Sequence, residues 1–98
     1  MPKAEFWIAR PTHYWMLDSR FDGSLNFGKI YEDAGLDGLL LFDTQNLAPE
    51  VYTSLTAIAL QTSRIKLGTG VTNPKTRHAA VTASTIATLD QLSGGRAY

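Results

Sequence analysis

Three short polar clusters carry the residue types that do chemistry. The first is Gly68-Thr69-Gly70-Val71-Thr72-Asn73, where two glycines remove side-chain bulk beside two hydroxyls and an amide. It supplies half of the G-x-G-x-x-G pattern that seats a pyrophosphate at a helix start. The third glycine position, however, is Asn73 with Pro74 after it, and Asp90, at about the distance of a ribose-binding acid, falls in a predicted helix. The same glycines suit a bulge or tight packing within a strand. The second cluster is Asp43-Thr44-Gln45-Asn46: a carboxylate able to orient a substrate by charge-assisted hydrogen bonds, or an ordinary turn that caps the next helical region. The third is His13-Tyr14, where an imidazole near its neutral-pH transition is a proton donor or a solvent-facing side chain. The two histidines, His13 and His78, are far apart and lack H-x-H or H-E-x-x-H spacing, so no metal site is expected. No cysteine is present, which removes thiolate chemistry and disulfides, and no G-x-S-x-G elbow occurs.

Each cluster comes after a segment of strand character. Glu5–Ala9 is aromatic-rich and bounded by Pro11, and a long loop is expected from Thr12 to Gly23. Ser24 is the expected N-cap of a helix carrying Phe27, Ile30, Tyr31 and Ala34 at i, i+3, i+4 and i+7, with Gly35 in the left-handed stop position. Leu39–Phe42 is a continuous apolar run of the kind buried on both faces in a parallel sheet. Pro49 and Glu50 suit a helix start, and Val51, Leu55, Ile58, Ala59 and Thr62 continue the stripe. A third strand is predicted over Ile65–Val71. A third helix is predicted from about His78 to Leu92, with Val81, Thr85, Ile86, Leu89 and Leu92 on one face and Gly94-Gly95 to stop it. Trp7, Trp15 and the tyrosines read as core or interface aromatics.

Composition limits the chemistry these clusters can serve. Nine basic and nine acidic side chains in 98 residues give zero formal charge, which argues against a sequence-independent nucleic-acid binder. An apolar content of 44% excludes a disordered chain. The longest apolar run is far short of the ~20 residues that cross a bilayer, and the start, with Arg10 and His13 soon after it, lacks a signal-peptide core. One cytoplasmic globular unit is the expectation.

Strand ends at Ala9, Phe42 and Val71 recur about every 30 residues, close to the roughly 31 residues that a (β/α)8 barrel of roughly 250 residues spends per unit. Alternating strands and helices at this spacing predict the α/β class with a parallel sheet. On a barrel, residues 1–98 would be the N-terminal portion of a single TIM-barrel domain, holding about three βα units, with Arg96-Ala97-Tyr98 opening a fourth strand; a doubly wound nucleotide-binding sheet is the competing parallel architecture. Unpaired edges predict that the chain belongs to a longer polypeptide or associates.

Thr62-Ser63-Arg64-Ile65-Lys66-Leu67-Gly68-Thr69-Gly70-Val71-Thr72-Asn73-Pro74 with Thr76-Arg77-His78 resembles the third-strand signature of the luciferase-like monooxygenase family. The stretches Ala80–Asp90 and Leu92–Ala97 are similar to the family's next helix and turn, and Ala34-Gly35-Leu36-Asp37-Gly38 resembles its first helix-to-strand junction. The likeness is strong over residues 25–98. It implies a (β/α)8 barrel, FMN or the deazaflavin coenzyme F-420 as cofactor, oxygenation or hydride transfer on a small substrate, and a homo-dimer. The resemblance further implies that Gly70, Val71, Thr72 and Asn73 meet the cofactor, with a cis peptide at Gly70–Val71 in a bulge against one flavin face. On such a barrel, whose chemistry sits at the carboxyl ends of its strands, Asp43 and His13 are the candidate catalytic groups, with an acid–base role falling to His13 or to a residue beyond Tyr98. Several deazaflavin-dependent members place histidine after the second-strand acid; Thr44 stands there instead, and a neutral hydroxyl cannot take an acid–base role. The family's phosphate-binding loops belong to later strands. A non-catalytic flavin-binding or interaction module built on the same half-fold is the alternative.

Overall fold

Strand and helix segments alternate as the periodicity predicts. A computed structural model describes residues 3–14 and 20–98. In it β1 spans Trp7–Arg10, α1 Phe27–Asp33, β2 Gly38–Leu41, α2 Val51–Gln61, β3 Lys66–Thr69 and α3 Ala79–Ser93. The three strands form one parallel sheet in the order β1-β2-β3. Trp7 stands opposite Gly38, and Gly38 opposite Lys66. Along the free edge of β3, Ala97 makes a parallel bridge to Leu67, so the last residues align as a further strand begins. The Trp15 expectation and the middle of the predicted 12–23 loop lie outside the described residues.

The two-residue period of a strand decides which side chains are buried. Leu39 and Leu41 of β2 and Leu67 of β3 are fully buried with Val51, Leu55 and Ile58 of α2 and with Ile65. This is the helix-covered face. Leu40 points the other way and is half-buried. It packs on Gly70, where an added Cβ would stand 2.8 Å from the Leu40 Cβ.

The stripe of α2 is buried as predicted, at Val51, Leu55, Ile58 and Ala59, while the faces of α1 and α3 depart from theirs. On α1, Phe27, Gly28 and Glu32 are buried while Ile30 is 57% exposed. Gly28 lies directly on the Ile58 Cγ2 methyl, so the close approach of α1 to α2 sets which face turns inward. Gly28→Ala must push that methyl aside. We expect a loss of about 1–3 kcal/mol, read as a lower urea midpoint with an unchanged slope. Asn26, and not Ser24, occupies the cap position of α1; the Ser24 amide instead donates to Asp22 Oδ1 at 2.8 Å, turning the chain before the helix. On α3 only Leu89 of the predicted stripe is buried, with Val81, Ile86 and Leu92 left 53%, 40% and 49% exposed, because α3 packs on α2 through its Leu89–Ser93 side. Gly35 and Gly94 take the expected left-handed conformation, with φ of 91° and 71°. Among the described residues no helix is long and apolar enough to cross a membrane.

Two buried charges clasp the turn between α2 and β3, at the N-terminal end of the sheet. The Glu32 carboxylate accepts from the N–H groups of Ser63, Arg64 and Ile65 at 3.0, 2.6 and 2.9 Å. Burial pushes this carboxyl up, but the three amide donors outweigh it and hold it at about 2. From the other side the Arg96 guanidinium donates to the carbonyls of Ala59, Thr62, Ile65 and Ser93. Two of these are orphan carbonyls at the end of α2, which a cation suits. Burial lowers the Arg96 pKa from its ordinary value.

Candidate functional site

At the opposite end of the strands the ladder continues past β3 and then breaks outward. Gly70 N–H donates to Leu41 O at 2.9 Å. The next peptide, Gly70–Val71, is cis, as the resemblance implied, and Val71 is 79% exposed. The outward turn is held from β2: Asp43 N–H donates to Val71 O at 3.3 Å. Asn73 folds the next segment into a turn, its Oδ1 accepting from Lys75 N–H and its carbonyl from the Thr76 hydroxyl, both at 2.9 Å. That turn returns the chain toward β2 and delivers Arg77.

Asp43 is the node of the cluster. Its Oδ2 accepts from the Thr72 hydroxyl at 2.6 Å and from Arg77 Nη1 at 2.7 Å. Its Oδ1 accepts from Gln45 Nε2 at 2.7 Å and from Arg77 Nη2 at 3.3 Å. The same Nη2 pairs with Glu50 Oε1, and Glu50 Oε2 caps α2 by accepting from Thr53 N–H at 2.7 Å. The guanidinium lies 4.8 Å from the centre of the Tyr52 ring, within cation–π range. The Asp43 side chain is only 2% exposed and that of Arg77 13%. Burial pushes the Asp43 carboxyl up, but hydrogen bonds from Arg77, Thr72 and Gln45 outweigh it and set it below its ordinary value. Arg77 is shifted upward, chiefly by its bond to Asp43. An ionised, four-times-bonded carboxylate is an acceptor and a tether. It has no proton to donate near neutral pH.

Of the residues singled out from sequence, Asp43, Val71 and Thr72 are hydrogen-bonded together, and Gly70 and Asn73 flank them. His13 sits on the segment after β1, its ring 5.3 Å from that of Phe21. His78 caps α3, its Nδ1 accepting from Ala80 N–H at 3.1 Å. Arg77 is the participant that residue spacing missed. It lies 34 positions from Asp43, and its signals were a cation just beyond the Asn73-Pro74 turn and its place in the family-like stretch Thr76-Arg77-His78. Two buried hydroxyls at this end, Thr12 Oγ1 after β1 and Thr44 Oγ1 after β2, have no partner among the described residues. A cavity of about 190 Å³ opens at Thr44, lined by Asp43, Thr44, Gln45, Asn46, Ala48, Pro49 and Glu50. That is below the roughly 300–1,000 Å³ of a cofactor pocket. The half-pattern Gly68-x-Gly70 does not form a dinucleotide turn. Eight residues lie between Gly70 and the first residue of α3, whereas the pyrophosphate pattern runs straight into a helix.

Comparison with known proteins agrees with this geometry. The family model of the luciferase-like monooxygenases matches residues 6–98. A 5,10-methylenetetrahydromethanopterin reductase of Methanolobus tindarius is 50% identical over 72 residues, covering 74% of this chain and 22% of that protein. The solved coenzyme F-420-dependent tetrahydromethanopterin reductase of Methanopyrus kandleri superposes with a TM-score of 0.79 at 39% identity, over 98% of this chain and 26% of its own. A monooxygenase of Streptomyces bottropensis superposes with a TM-score of 0.78 at 25% identity, over 94% of this chain and 31% of its own. The chain thus spans about a fifth of the length of the curated relatives it matches. With the family model matching residues 6–98 and a solved relative superposing over nearly the whole chain, the chain belongs to the luciferase-like monooxygenase family.

Proposed function

We propose that this chain forms the N-terminal part of a (β/α)8 barrel that binds a flavin or deazaflavin at the carboxyl ends of its strands and acts as an oxidoreductase on a small molecule. Within that class we favour a coenzyme F-420-dependent reductase of a one-carbon-carrying pterin, assembled as a cytoplasmic homo-dimer. The observation that carries this reading is the 39% identity to an F-420-dependent reductase across nearly the whole chain. The residues present fit such a group. Thr12 and Thr44 bring two buried, unpartnered hydroxyls to the ends of adjacent strands, suited to the amide-like rim of an isoalloxazine or deazaflavin. The exposed turn Val71–Asn73 offers backbone beyond the end of the neighbouring strand β3. When bound, the cofactor supplies the ring that exchanges a hydride. The chain's own work is positional: Asp43 holds Thr72 and Val71 in place, and Thr12 and Thr44 orient the rim. His13 is the proton-transfer candidate of this part of the barrel.

Titration of the protein at its natural length with FMN and with oxidised coenzyme F-420, monitored by absorbance and fluorescence, tests the reading. Saturable binding of one of them and turnover with a methylene-pterin are expected; binding without turnover would favour a non-catalytic module. In the same assay Thr44→Val removes an unpaired buried hydroxyl without changing shape. It is expected to leave melting unchanged or raise it slightly while weakening cofactor binding five- to tenfold, about 1 kcal/mol. Unaltered affinity would take Thr44 off the rim.

A further inference from the structure

Arg77 takes no part in the chemistry proposed for this end of the sheet, yet it is tied to the Asp43 node at its centre. Its guanidinium spans both oxygens of Asp43 and reaches Glu50, and it covers the Tyr52 ring. Asp43 in turn is the group that grips the outward turn twice. Its backbone N–H donates to Val71 O, and its carboxylate accepts from the Thr72 hydroxyl. A planar, forked donor fixes a carboxylate in orientation as well as in charge, which a point cation does not.

We infer that Arg77 is a positioning residue for the cofactor-facing turn Val71–Asn73, acting through Asp43 and through no contact of its own with the cofactor. The inference rests on the flavin-site reading. Without the fork, a carboxylate 2% exposed keeps only Thr72 and Gln45 as side-chain partners. Its uncompensated charge then draws in a proton or water, and either event releases the orientation on which the Thr72 bond depends. Glu50 cannot replace the missing cation, being itself an anion. A lysine at position 77 restores charge but reaches Asp43 and Glu50 one oxygen at a time.

The test uses Arg77→Met and Arg77→Lys in the protein at its natural length. Glu32→Gln, placed at the other end of the strands, serves as a control for simple destabilisation. For Arg77→Met, cofactor Kd should rise at least tenfold while kcat at saturating cofactor stays within threefold. Amide exchange at Val71, Thr72 and Asn73 should accelerate at least tenfold in the cofactor-free protein. Arg77→Lys should fall between it and wild type. The control should lower Tm without moving Kd or the exchange of those three amides. If both Arg77 variants fold with Kd within twofold of wild type and unchanged exchange at the turn, Arg77 is a structural ion-pair partner only and the inference is overturned. If Arg77→Met does not fold, Arg77→Lys decides by the same two readouts. If wild type takes up neither FMN nor coenzyme F-420, the flavin-site reading fails, and the exchange comparison alone upholds or overturns the hold of Arg77 on the turn.

Discussion

Asp43→Asn is expected to cost the protein both folding free energy and turnover. The native carboxylate accepts four hydrogen bonds in a nearly water-free position. An asparagine keeps one acceptor oxygen and turns an NH2 group toward donors, so at least one of Arg77, Thr72 and Gln45 loses its partner. Breaking a fully buried ion pair costs about 3–5 kcal/mol. Arg77 retains Glu50, so the expected loss is smaller, about 2–3 kcal/mol. Residue types alone suggest a kinetic effect with little loss of folding; the burial of the pair adds the second cost. Because Asp43 also tethers Val71 and Thr72, kcat/KM should fall at least tenfold, about 1.4 kcal/mol. The folded-state pKa lies below the unfolded one. The advantage of wild type over the variant is therefore full above the ordinary carboxylate pKa and shrinks as pH falls through the folded value. Urea unfolding at neutral and acid pH with steady-state kinetics measures all three. Identical unfolding and identical kinetics would make the ion pair idle.

Glu32→Gln should weaken the fold by about 3 kcal/mol, the free energy equivalent of a carboxyl moved from its ordinary 4.5 to about 2. The mechanism is visible in the contacts. Three successive amides, Ser63 to Ile65, converge on one buried carboxylate, and an amide side chain accepts with a neutral oxygen and presents an NH2 to donors. Such a loss lowers Tm by about 6–12 °C in a barrel of roughly 250 residues. The sign with pH comes from a depressed folded pKa. The stabilisation is complete above about pH 5, declines between pH 5 and 2, and is gone below that. Wild type should accordingly show an acid transition in that window from which Glu32→Gln is largely free. A variant whose stability tracks wild type at every pH would contradict the assignment. Arg96 approaches the same turn from the opposite side, so Glu32 and Arg96 changes are expected to be non-additive.

The order of elements was legible because it rests on local rules. The apolar run Leu39–Phe42 could be accommodated only as a covered strand, Gly35 and Gly94 sit where a helix must turn left-handed, and polar residues collect after each strand. The positions of Asp43, Val71 and Thr72 in one cluster obey the same rules, since parallel strands of similar length bring their carboxyl ends to one edge. Side-chain partnership across that edge is different in kind. Arg77 meets Asp43 across 34 positions, Glu32 meets Ile65 across 33, and Arg96 meets Ala59 across 37. No periodicity encodes a separation of that length. Which face of α3 is buried likewise depends on how its axis crosses α2, and the small Gly28 against Ile58 sets how near α1 may come. The sequence by itself therefore determined the elements, their order and the end of the sheet where chemistry gathers. Tertiary structure alone decided which charges pair and which helix faces are covered, because those outcomes depend on distances between elements, whereas hydrophobic period and turn chemistry act only within one.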